Sequence, residues 1–207
     1  MTNFNFGKNW QDYSDNALNK KKFYEASRSL EDLIGKENIV GKTILDIGSG
    51  SGLFSIAAKE LGASKVVGVD ISKESVEAAQ SNAERFNVNG VVFQQKSILD
   101  SRIEELGKFD IVYSWGVLHH TGDMKKAIEN ATSLVAQNGL FVIAIYNRHW
   151  SSPLWSKIKH FYNVSPRFIQ KVMIYMFVAV IFCAKFAVTK KNPLKNQRGM
   201  NFYYDVI

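Results

Sequence analysis

The sequence predicts an α/β protein, a doubly wound and mostly parallel sheet followed by an apolar and basic helical C-terminal extension. Three observations predict it. Short apolar runs alternate with amphipathic segments of helical spacing five times between Thr43 and Tyr146, the pattern of parallel strands joined by crossover helices. A glycine-dense turn, Gly48-Ser49-Gly50-Ser51-Gly52, stands at the first strand-to-helix junction. Beyond Tyr146 the alternation stops and the charge changes sign. Residues 1–147 hold 16 Lys/Arg and 18 Asp/Glu, a net of −2, whereas residues 148–207 hold 10 Lys/Arg and one acid, Asp205, a net of +9.

The elements follow in order. Residues 1–15 are an irregular lead-in in which Phe4, Phe6, Trp10 and Tyr13 stand among polar residues. From Asn19 to Ile34, the residues Phe23, Ala26, Ser27, Leu30, Leu33 and Ile34 keep helical spacing, and Gly35 suits the helix C-cap. Thr43 to Ile47 is the first strand, and Leu53, Ile56, Ala57 and Leu61 mark the helix after the glycine turn. Lys65 to Asp70 is the second strand. Ser72 caps a helix to about Phe86, with Val76, Ala79, Ala83 and Phe86 on one face. Asn89-Gly90 turns into a third strand, Val91 to Gln95, and Ile98 to Leu106 reads as a short helix. Phe109 to Ser114 is the fourth strand, Asp123 starts a helix to Ala136, and Asn138-Gly139 turns into a fifth strand, Leu140 to Tyr146. Right-handed crossovers and a reversal of strand order put a ligand crevice at the carboxyl ends of the strands. Asp46, Gly48, Asp70, Ser97 and Trp115 all fall there. The chain thus divides into a helical lead-in (1–38), a sheet core (39–147) and a basic, aromatic, helical segment (148–207).

Composition narrows the function. At 207 residues and 46% hydrophobic, the chain has enough apolar residues for a sizeable core. Its single cysteine, Cys183, excludes an internal disulfide framework and fits a reducing, cytoplasmic compartment. The first 20 residues are polar and carry no apolar core segment, so no secretory signal is expected. No His/Cys cluster has zinc spacing, so no metal is expected.

The glycine turn sits where backbone N–H groups at a helix start meet a ligand. A dinucleotide fingerprint places its third glycine at position 53, which is Leu. Asp46, just before the turn, is awkward beside a pyrophosphate and suits a ligand with positive charge. At this point Leu45-Asp46-Ile47-Gly48-Ser49-Gly50-Ser51-Gly52 resembles motif I of the class I S-adenosylmethionine (SAM)-dependent methyltransferases. Asp70, 24 residues after Asp46, matches that family's acid at the end of the second strand. The runs Phe109 to His120 and Asn138 to Ile143 are similar to its fourth strand with following loop and its fifth strand.

The resemblance covers about residues 40–146 and implies a Rossmann-like methyltransferase fold with SAM as cofactor and S-adenosylhomocysteine (SAH) as product. Asp46, Gly48, Ser49, Gly50 and Gly52 would form the cofactor turn, Asp70 would hold the ribose and Ile71 would flank the adenine. Ser97 and Ile98 stand in the adenine-recognition turn, with Ser97 where the family often has an acid, and Trp115 follows the fourth strand. Tyr13 matches an N-terminal aromatic that closes over the cofactor. The family completes its sheet with two further strands, and no alternating pair of runs follows Tyr146. Missing final strands, in a truncated product, are the expectation.

Methyl transfer needs proximity and alignment above all, and a base only where the nucleophile has a proton to lose. His119 and His120 follow the fourth strand and are the candidates, and His120 matches a position where the family often has His. The loop Ser114-Trp115-Gly116-Val117 lacks the Asn/Asp-Pro-Pro-aromatic motif of amino-methylating DNA enzymes. Cys183 lies in an apolar run, which argues against cysteine-dependent pyrimidine methylation. Oxygen, nitrogen or sulfur on a small or lipid-like molecule, or on a protein, remains, and the loop Trp115 to His120 resembles the small-molecule branch that includes quinone-precursor enzymes. A SAM-binding partner subunit without turnover and an NAD-dependent oxidoreductase stay as alternatives.

The run Val172 to Ala184 is apolar for 13 residues. At about 1.5 Å per residue it spans about 20 Å, short of a bilayer core of about 30 Å. It reads as a core or substrate-lid helix, as a helix in a membrane interface, or as an oligomer contact. The basic charge of residues 148–207 is interleaved with apolar runs, which fits apolar or lipid contact, at a membrane-peripheral site, better than nucleic acid.

Overall fold

The computed structural model describes residues 18, 20–147 and 152–190. They form two compact units, divided after Tyr146. In the first, helix α1 (Lys20–Ile34) and the short α2 (Lys36–Ile39) precede β1 (Thr43–Ile47), α3 (Leu53–Glu60), β2 (Lys65–Asp70), α4 (Lys73–Arg85), β3 (Val91–Gln95), β4 (Phe109–Trp115), α5 (Met124–Ser133) and β5 (Val135–Ala144). The strands make one parallel sheet in the order β3-β2-β1-β4-β5. The order reverses between β1 and β4, which opens the crevice at their carboxyl ends.

The sheet stands because its inner strands β2, β1 and β4 are apolar and buried on both faces, whereas the edge strands β3 and β5 are partly exposed. Period-two alternation sends Leu45 and Ile47 of β1 to one side, where they pack with Val69, Val112 and the α5 residues Ala127 and Ala131. Ile44 goes to the other side, with Val66, Ile111 and residues of α1 and α3 such as Leu30 and Ala57. Each such buried Val, Leu or Ile side chain stabilises by about 1.5–3 kcal/mol. Ser72 caps α4 by accepting from the Ser75 N–H at 3.2 Å, and Asp123 caps α5 by accepting from the Lys126 N–H at 3.0 Å.

The structure corrects three elements. α5 ends at Ser133 rather than Ala136, because Val135 already pairs with Phe109. β5 therefore starts before the expected turn. The register runs from Phe109↔Val135 to Ile111↔Leu140, so the Asn138-Gly139 turn is a bulge inside the strand, with Asn138 at φ 64°. Between Ile98 and Leu106, only Ile103–Leu106 is helical, as a 3₁₀ turn. Ser97 Oγ accepts from the Leu99 N–H (3.1 Å) and Asp100 Oδ1 from the Arg102 N–H (2.9 Å), and these local bonds compete with an α-helix.

The second unit is a hairpin of two helices, α6 (Ser152–Val164) and α7 (Arg167–Thr189), with Pro166 at the N-cap of α7. The run read as 13 residues lies inside a 23-residue helix. That helix is about 34 Å long at 1.5 Å per residue, so length does not prevent it from crossing a bilayer. Among the described residues the sheet has five strands.

Candidate functional site

The glycine turn is held by its neighbours on every side. The N–H groups of Gly48 and Ser49 both donate to the Val69 carbonyl, at 2.7 and 3.1 Å. Asn82 Nδ2, buried on α4, donates to the Ser51 carbonyl at 2.9 Å. Gly48, Gly50 and Gly52 have φ of 76°, 53° and 73°, a region that favours glycine. At two of the three the close approach is to protein. A Cβ on Gly48 would stand 2.4 Å from Val117, and one on Gly52 would stand 2.7 Å from Phe93.

Asp70 ends β2 beside this turn. Its Oδ2 accepts the Gly50 N–H at 3.0 Å and its Oδ1 the Ser72 N–H at 2.9 Å. Both oxygens are thereby oriented, and each retains a lone pair for a further donor. Ile71, next in the chain, is 73% exposed. Lys96 donates its N–H to the Asp70 carbonyl at 2.9 Å, which ties the ends of β2 and β3 together. Ser97 is thereby close, with its hydroxyl engaged by Leu99. Ile98 is 5% exposed and its side chain packs in the core, while its carbonyl accepts from Asn130 Nδ2 at 2.7 Å.

Asp46 is only 4% exposed and accepts the Ser55 hydroxyl at 2.6 Å. Burial pushes its carboxyl up to about 6, the Ser55 hydrogen bond opposes this, and the negative charge of Asp70 adds to it. Burial, and then the Asp46 charge, also raise the Tyr113 hydroxyl beyond its ordinary range. Ser49 Oγ is buried and has no hydrogen-bond partner.

The other wall follows β4. Ser114 is fully buried and donates its hydroxyl to the Ile47 carbonyl at 3.1 Å, which pins β4 to β1 at the switch point. Trp115, 53% exposed, stacks on Tyr113 with ring centroids 6.2 Å apart. Val117, which faces Gly48, leads into a 3₁₀ turn, Leu118–His120, anchored by buried Leu118. The His119 ring lies 4.0 Å from that of His120 and 4.5 Å from that of Tyr146. Both ring nitrogens of His119 are buried without a partner, and burial lowers its pKa. The ring is therefore neutral at pH 7, and its unprotonated nitrogen is a proton acceptor.

The structure thus brings Asp46, the glycine turn, Asp70, Ile71, Ser97, Trp115 and the histidine pair to one end of the sheet. Tyr13 lies outside the described residues. Asn82, Ser114 and Tyr146 escaped the sequence reading. Asn82 and Ser114 look like ordinary polar residues within a helix and a strand, and Tyr146 carries no motif. Among the described residues no group of three or more His, Cys, Asp or Glu is placed to hold a metal ion.

A glycine turn at the switch point, facing an anchored acid at the end of the next strand, defines a Rossmann-like cofactor site. The chain belongs to the methyltransferase domain family, whose model matches residues 39–192. It is 53% identical over 72 residues to the ribosomal protein L11 methyltransferase of Dictyoglomus thermophilum, covering 35% of this chain and 23% of that protein. It is 29% identical over 129 residues to the ubiquinone biosynthesis O-methyltransferase of Coxiella burnetii, covering 61% and 54%. Among solved structures, the YcgJ protein of Bacillus subtilis matches with a TM-score of 0.55 at 28% identity, covering 64% of this chain and 56% of that one. The chain therefore spans about a quarter to a half of the length of these curated relatives. The family's cofactor is SAM, and the residues fit it. The unpartnered Ser49 hydroxyl is a ready donor or acceptor in the turn. Asp70 keeps a lone pair on each oxygen for a ligand donor beside the turn, while Asp46 is buried and bonded to Ser55.

Proposed function

We propose that this chain is an enzyme that transfers the methyl group of SAM to an oxygen, nitrogen or sulfur nucleophile of a small molecule, with apolar acceptors favoured. SAM would supply an electrophilic methyl on a sulfonium whose thioether leaves readily with the electron pair of the S–CH3 bond, so the chain's own contribution is alignment and proton handling. Asp70 accepts hydrogen bonds from ribose hydroxyls. The Ser49 hydroxyl bonds to the ligand seated at the turn, and Asp46 places negative charge near the ligand's ammonium. Ile71 and Trp115 offer exposed apolar surface at the two sides of the crevice. His119 takes the proton of the acceptor on a ring nitrogen, and Tyr146 and His120 hold its ring in place.

The observation that carries this reading is the His119 imidazole, with both nitrogens buried and unpartnered on the loop that abuts Gly48. A small, apolar acceptor is supported by the ubiquinone O-methyltransferase relative, which matches over 129 residues. The 72-residue match to L11 methyltransferases is shorter than the sheet from Thr43 to Ala144, yet it favours a protein acceptor as the second reading. The lone cysteine and the absence of a disulfide partner favour the cytoplasm as the location.

The test is titration with SAH, followed by methyl transfer to phenols, amines, thiols and ribosomal protein. Expected are saturable SAH binding that Asp70→Ala weakens about 100-fold, and transfer to a phenol. His119→Gln should lower kcat by about 10²-fold or more with SAH affinity unchanged. Binding without transfer to any acceptor would instead mark a SAM-binding partner subunit. NADH binding tighter than SAH binding would overturn the cofactor assignment.

A further inference from the structure

Helix α7 has two apolar faces and needs a cover for one of them. A stripe of half-buried residues, Met173, Ile174, Phe177, Val178 and Ile181, recurs at coiled-coil spacing. Phe177 on this stripe meets Trp155 of α6, with ring centroids 5.7 Å apart. The opposite face carries Tyr175, Met176 and Val180, all exposed. From Arg167 to Val188 the helix has a mean hydropathy of 2.0 over its most apolar window, and none of that window is buried. A helix that is apolar all round does not rest in water.

We infer that helix α7 inserts into a lipid bilayer and anchors the chain there. Its 23 residues span about 34 Å, against about 30 Å of hydrocarbon. Lys171 and Lys185 stand about 21 Å apart along the axis, and each is near enough to a helix end for its ammonium to reach the headgroups along its alkyl stem. Gln170, the uncharged amide of the helix, donates its Nε2 to the Tyr162 carbonyl at 3.0 Å, so that polar group is satisfied within the hairpin. Charge selects the partner. Residues 152–190 hold Lys157, Lys159, Arg167, Lys171, Lys185 and Lys190 and no acid. A second copy would bring the same cations against these, whereas anionic headgroups neutralise them. Trp155 and Tyr162 of α6 are residue types that settle at the interface.

Flotation of the full chain with vesicles tests this, using phosphatidylcholine alone and phosphatidylcholine mixed with phosphatidylglycerol. The chain should float with both, more completely with the mixture, and resist high salt and alkaline carbonate. Met176→Glu with Val180→Glu, placed on the face away from α6, should reduce the floated fraction at least about 10-fold, since carboxylates are costly in hydrocarbon. Circular dichroism of that variant should show unchanged helix content, which separates loss of insertion from loss of fold. The inference is overturned if the wild type stays at the bottom of the gradient. A doubled mass by light scattering in that case would assign the face to a second copy. Release by high salt, or equal flotation of the variant, would overturn it as well.

Discussion

The two units treat apolar residues in opposite ways. In the first, Leu45, Val66, Ile111 and Val112 are 0–1% exposed, because helices cover both faces of the inner sheet. In the second, none of the most apolar window of α7 is buried, although its hydropathy is that of a core. Their charge differs in the same sense, with residues 1–147 near neutral and residues 148–207 at +9. The contrast teaches that hydrophobicity alone does not specify a core. A core needs a second apolar surface in the same chain, and α7 meets one only along the stripe that packs on α6.

The largest expected effect breaks that comparison directly. Leu45→Ala removes a fully buried side chain beside Ile47 and Val112 and should cost about 2–5 kcal/mol in chemical denaturation. Val180→Ala removes a side chain that is 63% exposed, and in lipid-free buffer should change stability by less than about 0.5 kcal/mol. Similar losses would mean that α7 is covered within the chain.

The next effect is a pH dependence that belongs to the first unit. Asp46 titrates at about 6 in the folded chain against 3.8 ordinarily. The folded state therefore binds more protons between these values, so stability falls as pH rises from about 4 to about 6 and is level above. The span is worth at most about 3 kcal/mol. His119, whose pKa burial lowers, acts in the opposite direction as pH falls through its ordinary 6.5. Asp110, held low by the Thr43 N–H and hydroxyl, loses its contribution only below about 3.8. The measurement is thus the difference between wild type and Asp46→Asn in thermal melts across pH 4–7, with the slope expected to vanish from the Asp46 component.

Ligand binding comes third. Asp70→Ala removes the acceptor that fixes Gly50 and Ser72, and SAH affinity should fall about 100-fold, or about 2.7 kcal/mol, by calorimetry. Flotation should be unaffected, since Asp70 and α7 belong to different units.

Legibility followed physics in each unit. The inner strands were readable because a parallel strand buried on both faces is a continuous apolar run, as in Val66-Val67-Gly68-Val69. Ser72 and Asp123 announced their helices because each cap uses its own side chain. The start of β5 was hidden because Leu134 and Val135 extend the helical spacing of α5 while Val135 pairs with Phe109. The full length of α7 was masked by Lys171 and Lys185, which bracket the shorter apolar run Val172 to Ala184. At the site, Asp70 and the glycine turn carried a spacing. The different surroundings of His119 and His120 did not, since adjacent residues of a 3₁₀ turn face different ways. Asn82 and Ser114 act through bonds across 31 and 67 residues, which no local pattern contains.

The smallest effect concerns the water-facing side of the first unit. Its helices carry ion pairs four residues apart, such as Lys125–Glu129 on α5 at 3.9 Å and Lys73–Glu77 on α4 at 3.4 Å. Helices α6 and α7 have no acid with which to form one. A double-mutant cycle on Lys125→Ala and Glu129→Ala should give about 0.3–0.5 kcal/mol of coupling at low salt and nearly none at high salt. Such a value would assign the difference between the units to whether apolar surface is covered, since the surface pairs are too weak to produce it. A coupling of several kcal/mol would move the comparison to electrostatics, and would predict that introducing acids on the outer face of α7 stabilises that helix in water.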